Sequence, residues 1–307
     1  KKGVTQNMDK TNYMSIISQL QKVSSTLSDD QTNFLARTLH PTQFGRFCPV
    51  ETPEGTEIGL RKNLAIMSLI STTSEMNEED IIKELEKIGM KKDANGKDVF
   101  FNGIFIGVTE DYKKFIEEVK EKRRSQKIPK ILSVGYDGRL DIVKIYTDTG
   151  RVLRPLIIVD NGISRLNQGH IELLKKDEMK WSDLIKNAVI EYIDAAEEEN
   201  CLVTHKKEEL TNEHTHLEID PIAFLGPITS LVSFGNHDQS SRLIRGSKTQ
   251  KQGLGLYASN YLVRIDTDVS VLQYPQQPIV RSFVYDALNV YPVGQNIVVA
   301  VMTYDGY

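Results

Sequence analysis

Between Arg37 and Leu60 the chain carries Pro41, Pro49 and Pro53 together with Gly45, Gly55 and Gly59. Proline fixes φ and lacks the N–H that a helix interior or a central strand needs, while glycine admits backbone that other residues avoid. This stretch can be neither one long helix nor the middle of a sheet. It predicts irregular backbone with turns at those residues, held by neighbouring segments rather than by a ladder of its own. With 307 residues there is length for two or three packed units around it.

The flanking patterns are more regular. Residues 5–23 predict a helix, with Asp9 as cap and Tyr13, Ile16, Ile17, Leu20 and Val23 at helical spacing. Residues 24–33, with Asp29-Asp30 at the centre, read as a polar loop. Residues 78–88 predict an amphipathic helix ended by Gly89, and Asp93-Ala94-Asn95-Gly96 a turn before the apolar run 99–108. A second helix is expected over 111–126, with Tyr112, Phe115, Ile116 and Val119 on one face. Its Lys120, Lys122, Arg123 and Arg124, interleaved with Glu117, Glu118 and Glu121, fit a solvated face; a phosphate-binding face is the other reading. Strands are expected at 141–147, 152–159, 201–204 and 296–303, a turn at Tyr136-Asp137-Gly138, and a helix over 181–196 running into Glu197-Glu198-Glu199. The class is mixed α+β, in several modules.

Several function classes have little support. No apolar run approaches the ~20 residues of a membrane helix, and no signal core follows Lys1-Lys2-Gly3-Val4. Cys48 and Cys201 are far apart and suit a reducing interior, so the chain reads as cytosolic. His205, His214 and His216 lie near one another, but no Cys or further His completes a zinc spacing, and no metal site is expected. His237, Asp238 and Ser240 or Ser241 are sequence neighbours without a nucleophile-elbow motif. Neither a phosphate loop nor a dinucleotide fingerprint occurs, and Gly253-Leu254-Gly255 is too short to count as one.

A net charge of -4 argues against binding nucleic acid over the whole surface, but charge is distributed by segment. Residues 239–265 contain no carboxylate, while Arg242, Arg245, Lys248, Lys251 and Arg264 all fall there. From Arg242 to Lys251 a cation stands at every third position among hydroxyls and amides. Arginine grips phosphate through two parallel hydrogen bonds and lysine adds a point charge, so this pattern suits a polyphosphate or a nucleic-acid backbone. A basic surface helix is the plainer alternative.

The run Ala36-Arg37-Thr38-Leu39-His40-Pro41-Thr42-Gln43-Phe44-Gly45-Arg46-Phe47-Cys48-Pro49-Val50-Glu51-Thr52-Pro53-Glu54-Gly55 closely resembles a signature of the second-largest subunit of multisubunit RNA polymerases, of archaeal and eukaryotic type. Further landmarks follow in order. They are Gly150-Arg151-Val152-Leu153-Arg154-Pro155, Glu191-Tyr192-Ile193-Asp194-Ala195, Thr215-His216-Leu217-Glu218-Ile219-Asp220-Pro221, the basic stretch, and Tyr274-Pro275-Gln276-Gln277-Pro278.

The resemblance implies a fork module over 1–73, two outer modules over 74–130 and 131–217, and the start of a hybrid-binding β-barrel module over 218–307. It implies that Arg242 reaches the phosphates of the incoming nucleoside triphosphate, with Lys251 and Gln252 near the RNA of the RNA–DNA hybrid. Arg46 and Glu54 are fork-region candidates, or else hold the Gly/Pro-rich backbone together. The implied partners are the largest subunit and the other polymerase subunits, DNA template, RNA and NTP. The implied cofactor is Mg2+, held mainly by aspartates of the largest subunit, so the chain is expected to be a nucleotidyltransferase component inactive alone. Where relatives show a His and an Arg after the first helix, this chain has Ser18-Gln19-Leu20-Gln21-Lys22. The family follows Tyr304-Asp305-Gly306-Tyr307 with an Asn and an acidic pair near the second magnesium, which are not in this sequence. A non-catalytic scaffold or binding module on the same framework is the alternative function.

Overall fold

The structure is a computed structural model that describes residues 5–28, 32–74, 76–92, 95–255, 258 and 260–306. Lys1, the Asp29-Asp30 centre of the expected loop, the Asp93-Ala94 half of the expected turn and Tyr307 lie outside the described residues. The first part of the chain holds α1 (Tyr13–Leu20), β1 (Lys22–Ser24), α2 (Phe34–Arg37), β2 (Arg61–Asn63) and β3 (Leu69–Ile70). Then come α3 (Glu78–Ile88), β4 (Lys97–Phe101), β5 (Ile104–Thr109), α4 (Tyr112–Arg124), β6 (Ser133–Asp137), β7 (Ile142–Tyr146), β8 (Val152–Asp160) and β9 (Ile163–Ser164). The remainder comprises α5 (Gln168–Lys175), α6 (Trp181–Lys186), β10 (Ile190–Ile193), α7 (Ala195–Glu198), β11 (Val203–Thr204), β12 (His216–Leu217), α8 (Pro227–Ser230), α9 (Ser240–Gln252), β13 (Leu254–Gly255), β14 (Val271–Leu272) and α10 (Phe283–Ala287). The fold is mixed α/β with several sheets. No helix among the described residues is long and apolar enough to cross a membrane.

The chain forms two compact units, Met67–Ala223 and, enclosing it in sequence, Lys1–Ile66 with Phe224–Tyr307. In the inserted unit, β4 and β5 form a hairpin whose turn residues Asn102 and Gly103 both have positive φ. That geometry matches the right-handed twist of the paired strands and splits the apolar run in two. The sheet order is β5-β4-β7-β6, with β4 parallel to β7. This sheet runs across residues 130–131, where the sequence reading places a module boundary. Ile81 and Leu85 of α3 and Phe115 and Val119 of α4 pack with Val99, Val134, Val143 and Ile145 of the strands. The caps are local: Gly89 ends α3 in the left-handed region and the Asp111 side chain accepts from Lys113 N and Lys114 N at the start of α4.

The second sheet is built on β8, which pairs with β10, β12, β3 and β9, β11 lying beyond β12. Ile157, Val159, Leu184, Ile190 and Leu217 form its core. Residues 181–196 are not one helix. Helix α6 stops at Lys186, Ala188 takes φ 52°, and Ile190–Ile193 then lies antiparallel to β8. An edge of β8 that can be paired outweighs the helical spacing.

In the enclosing unit the first helix starts at Tyr13, capped by Asn12, not near residue 5. Asp9 instead accepts from Thr11 N and Thr11 Oγ1, a local turn that competes with helix. Val23 belongs to β1, which pairs with β2. From 218 onward the paired strands among the described residues are β13 and β14, and no closed barrel forms. The strand expected at 296–303 is not formed: Ile297, Val298, Val299 and Val301 are exposed. A strand needs a neighbour for its backbone groups, and alternation cannot supply one.

Candidate nucleic-acid interface

The carboxylate-free stretch is a helix. Ser240–Gln252 forms α9, which buries Leu243 and Ser247 against the enclosing unit and turns Arg242, Arg245 and Lys248 outward. Its far end is held by α1: Asn12 Nδ2 donates to Gln250 O at 2.8 Å and Gly253 O at 2.9 Å.

The Gly/Pro-rich stretch lies beside this helix and is nearly all irregular, apart from a single turn of 3-10 helix at Pro41–Gln43. Its hydrogen bonds go to neighbours. Cys48 N donates to Asn63 O at 2.8 Å, Thr52 Oγ1 to Arg61 O at 3.0 Å, and Gly59 N to Thr52 Oγ1 at 2.9 Å. Gly59 has φ +73°, and a Cβ there would fall on the carbonyl of Arg37. Only glycine satisfies both conditions.

Carboxylates of this stretch meet the cations of α9. Glu54 Oε1 lies 3.3 Å from Arg245 Nε and Glu54 Oε2 3.5 Å from Lys248 Nζ, all at the surface. Glu51 is buried, 3% exposed, and its Oε1 accepts from Lys251 Nζ at 3.0 Å and Ser18 Oγ at 2.7 Å. Asn63 Nδ2 donates to Ser18 Oγ at 2.9 Å. Glu51 Oε2 is buried without a hydrogen-bond partner among the described residues. A cavity of 260 Å³ opens here, bordered by Lys22, Glu51, Glu57, Arg61 and Lys251. Burial first, then the charges of Lys251 and Arg61, hold the Lys22 ammonium below its ordinary value.

The residues singled out in the sequence thus separate. Arg242 is exposed and its side chain has no hydrogen bond or ion pair among the described residues. Gln252 is exposed too. The Lys251 ammonium is on Glu51. Glu54 is a surface partner of Arg245 and Lys248. Arg46 is 3% exposed and donates to Thr42 O at 3.2 Å, so it braces the backbone of its own loop. Ser18, Glu51 and Asn63 were not singled out for their chemistry. Glu51 was visible as a carboxylate inside the signature, but nothing near it in sequence gives its partner.

The inserted unit corrects the reading of α4. Arg123 is 3% exposed and pairs with Glu197 at 2.6 Å and Glu191 at 2.7 Å, while Arg124 reaches Glu191 at 2.6 Å and Lys122 reaches Glu84 at 3.0 Å. These cations meet carboxylates 67 to 74 residues away in two cases, out of sight of any local pattern. Burial opposes the charge on Glu191, yet Arg123, His216 and Arg124 hold its carboxyl well below the usual range. His216 is buried, with Nε2 2.8 Å from Glu191 Oε1 and Nδ1 2.9 Å from Thr215 Oγ1. Burial works against its charge too, but Cys201 and Glu191 push it up to about 9. His214 Nδ1 is engaged by Thr211. Among the described residues no group of three or more His, Cys, Asp or Glu is placed to hold a metal ion.

Four family descriptions match in succession: RNA polymerase Rpb2 domain 3 over residues 6–70, domain 4 over 99–160, domain 5 over 181–221 and domain 6 over 228–307. The DNA-directed RNA polymerase subunit Rpo2 of Sulfolobus acidocaldarius is 41% identical, an alignment covering 99% of this chain and 29% of that protein. The chain belongs to the family of second-largest RNA polymerase subunits. Rpo2 of Saccharolobus solfataricus is 40% identical and the RNA polymerase III subunit RPC2 of Schizosaccharomyces pombe 35%, each over 99% of this chain. The chain spans 27 to 29% of the length of these second-largest subunits. The Rpb2 domain 4 and domain 5 matches fall inside Met67–Ala223, and the domain 6 match falls inside the enclosing unit.

Proposed function

We propose that this chain is the part of a DNA-directed RNA polymerase second-largest subunit that presents α9 to the incoming nucleoside triphosphate and the RNA–DNA hybrid. The observation that carries the reading is the exposed guanidinium of Arg242, without a partner among the described residues, on a helix whose other cations have carboxylate partners. Charge accumulates on phosphate oxygens during phosphoryl transfer, and a guanidinium held on a packed helix stabilises it without reorganising. Gln252, exposed on the same helix, suits sugar or phosphate oxygens of the RNA without reading sequence.

In this reading residues 1–73 supply the fork module and 218–307 the beginning of the hybrid-binding barrel. The outer modules lie within 74–217. Glu54 and Arg46 act on the signature loop and on α9 rather than on nucleic acid. The largest subunit, the remaining subunits, template DNA and RNA complete the enzyme, in the cytoplasm of an archaeal-type cell, and Mg2+ ligands come from outside this chain. The test is templated RNA extension by the assembled polymerase carrying Arg242→Ala. Unchanged NTP affinity and extension rate would remove Arg242 from the reading. A complex that binds the chain yet never extends RNA would favour a non-catalytic scaffold.

A further inference from the structure

The motif Glu51-Thr52-Pro53-Glu54 places two carboxylates against a helix whose cations suit phosphate, and the two differ in burial. Glu54 is at the surface, where water and salt screen its pairs with Arg245 and Lys248. Glu51 is 3% exposed and Lys251 25%. The carboxylate holds the ammonium through Oε1, shares that oxygen with Ser18 Oγ, and has no other cation within ion-pair distance among the described residues. Its Oε2 already lacks a hydrogen-bond partner among the described residues. If Lys251 left for a phosphate, a buried carboxylate would remain with one hydroxyl hydrogen bond. A buried charge stripped of its partner costs far more than one water-exposed phosphate contact returns.

We propose that Glu51 is the resident counter-ion of Lys251, withdrawing this lysine from nucleic acid and making it a positioning residue that fixes the end of α9. The proposal rests on α9 as the nucleic-acid-facing helix and changes which of its cations count. Glu51 lowers the number of phosphates the helix can engage, so contact concentrates on Arg242. It also sets the orientation of α9 from its last turn, together with the hydrogen bonds from Asn12 to Gln250 O and Gly253 O.

The number of phosphate contacts is read from the salt dependence of binding, since each engaged cation adds roughly 0.7–0.9 to the slope of log affinity against log salt. The probe is a short RNA–DNA scaffold bound by the assembled polymerase across a potassium chloride series. Glu51→Gln, nearly isosteric, releases Lys251 and steepens the slope by roughly 0.7–0.9. The double variant Glu51→Gln with Lys251→Met removes both charges, leaves no buried ion unpaired, and returns the slope to that of the parent. The proposal is overturned if Glu51→Gln leaves the slope unchanged, or if the double variant falls below the parent by one contact. If Glu51→Gln does not assemble, the double variant decides alone: a slope equal to the parent's supports the proposal and a shallower one defeats it. Arg242→Ala in the same assembly keeps the two questions apart. A normal Arg242→Ala enzyme defeats the reading of the helix, whereas an impaired one with an unmoved Glu51→Gln slope defeats only the counter-ion role.

Discussion

Asn12 and Gln250 are 238 residues apart in sequence, yet the Asn12 amide donates to the Gln250 carbonyl at 2.8 Å. The same side chain accepts from Ser15 N at 2.9 Å through Oδ1. One amide therefore caps the start of α1 and the end of α9 at once. Removing it by Asn12→Ala should cost about 1 kcal/mol for the lost N-cap and roughly 1–3 kcal/mol for the carbonyls left without a donor. Hydrogen–deuterium exchange separates the two. Asn12→Ala speeds exchange in both helices, while Asn12→Asp, which keeps the acceptor and loses the donor, protects α1 and frees only the last turn of α9. Equal protection of α9 in all three proteins would contradict this.

Arg242→Ala in the assembled enzyme should lower kcat/KM for NTP by about 10²-fold, the usual effect of removing one donor to a developing oxyanion. Arg242→Lys, which keeps the charge and loses the planar fork, should recover only part of it. Single-nucleotide addition on a primed scaffold measures both.

In the inserted unit Arg123 stands between Glu191 and Glu197. Arg123→Met leaves two buried carboxylates short of their main cation and should destabilise that unit by about 3–5 kcal/mol. Trp181, whose Nε1 donates to Tyr192 OH, is the sole tryptophan and reports on this unit alone. Its fluorescence through a urea titration is the measurement, and a loss under 1 kcal/mol would show the network to be dispensable.

The same probe reads the pH response of His216. Its folded value is pushed up to about 9 from an ordinary 6.5. A raised value means that the stabilisation is complete below about 6.5 and is lost as pH rises through about 9. The contribution is on the order of 3 kcal/mol. The urea midpoint should therefore fall between those two pH values, and His216→Gln should flatten that fall.

Gly59 and Gly55 give a paired test. Both have positive φ, but a Cβ on Gly55 meets nothing within 4 Å whereas one on Gly59 strikes the Arg37 carbonyl. Gly55→Ala should cost about 1 kcal/mol, the strain of a left-handed alanine. Gly59→Ala adds displacement of the backbone of Arg37, the residue whose side-chain Nη1 donates to Ile58 O at 3.1 Å. Limited proteolysis within residues 37–60 should show Gly59→Ala cut first.

What the sequence discloses here is what neighbours in sequence decide. The helix α4, Gly89 ending α3 and the apolar run of β8 are local facts, and they were readable. So was the irregular course of residues 37–60, since proline and glycine act on their own backbone. The strand Ile190–Ile193 was hidden inside a helical pattern because its pairing edge, β8, lies 33 residues or more earlier in the chain (Ile190 opposite Ile157). The burial of Arg123 and the seating of Lys251 on Glu51 depend on carboxylates 74 and 200 residues away, and no spacing rule reaches that far. Arg242 was singled out by a charge pattern and a family resemblance. That no carboxylate among the described residues pairs with it became visible only once Glu51 and Glu54 had been assigned to its neighbours on the helix.

The order in which the two units appear along the chain sets an order of events in synthesis. Met67–Ala223 is continuous, whereas α1 must wait for α9, and the excursion is closed where Ile66 N donates to Leu225 O at 2.9 Å. Closing so long a loop costs chain entropy, less so when the intervening residues have already collapsed into a compact body. Translation is slow beside the folding of a domain. A nascent chain should then complete the inserted unit while α1 is still unpartnered, with its apolar face waiting on the ribosome for a helix not yet made.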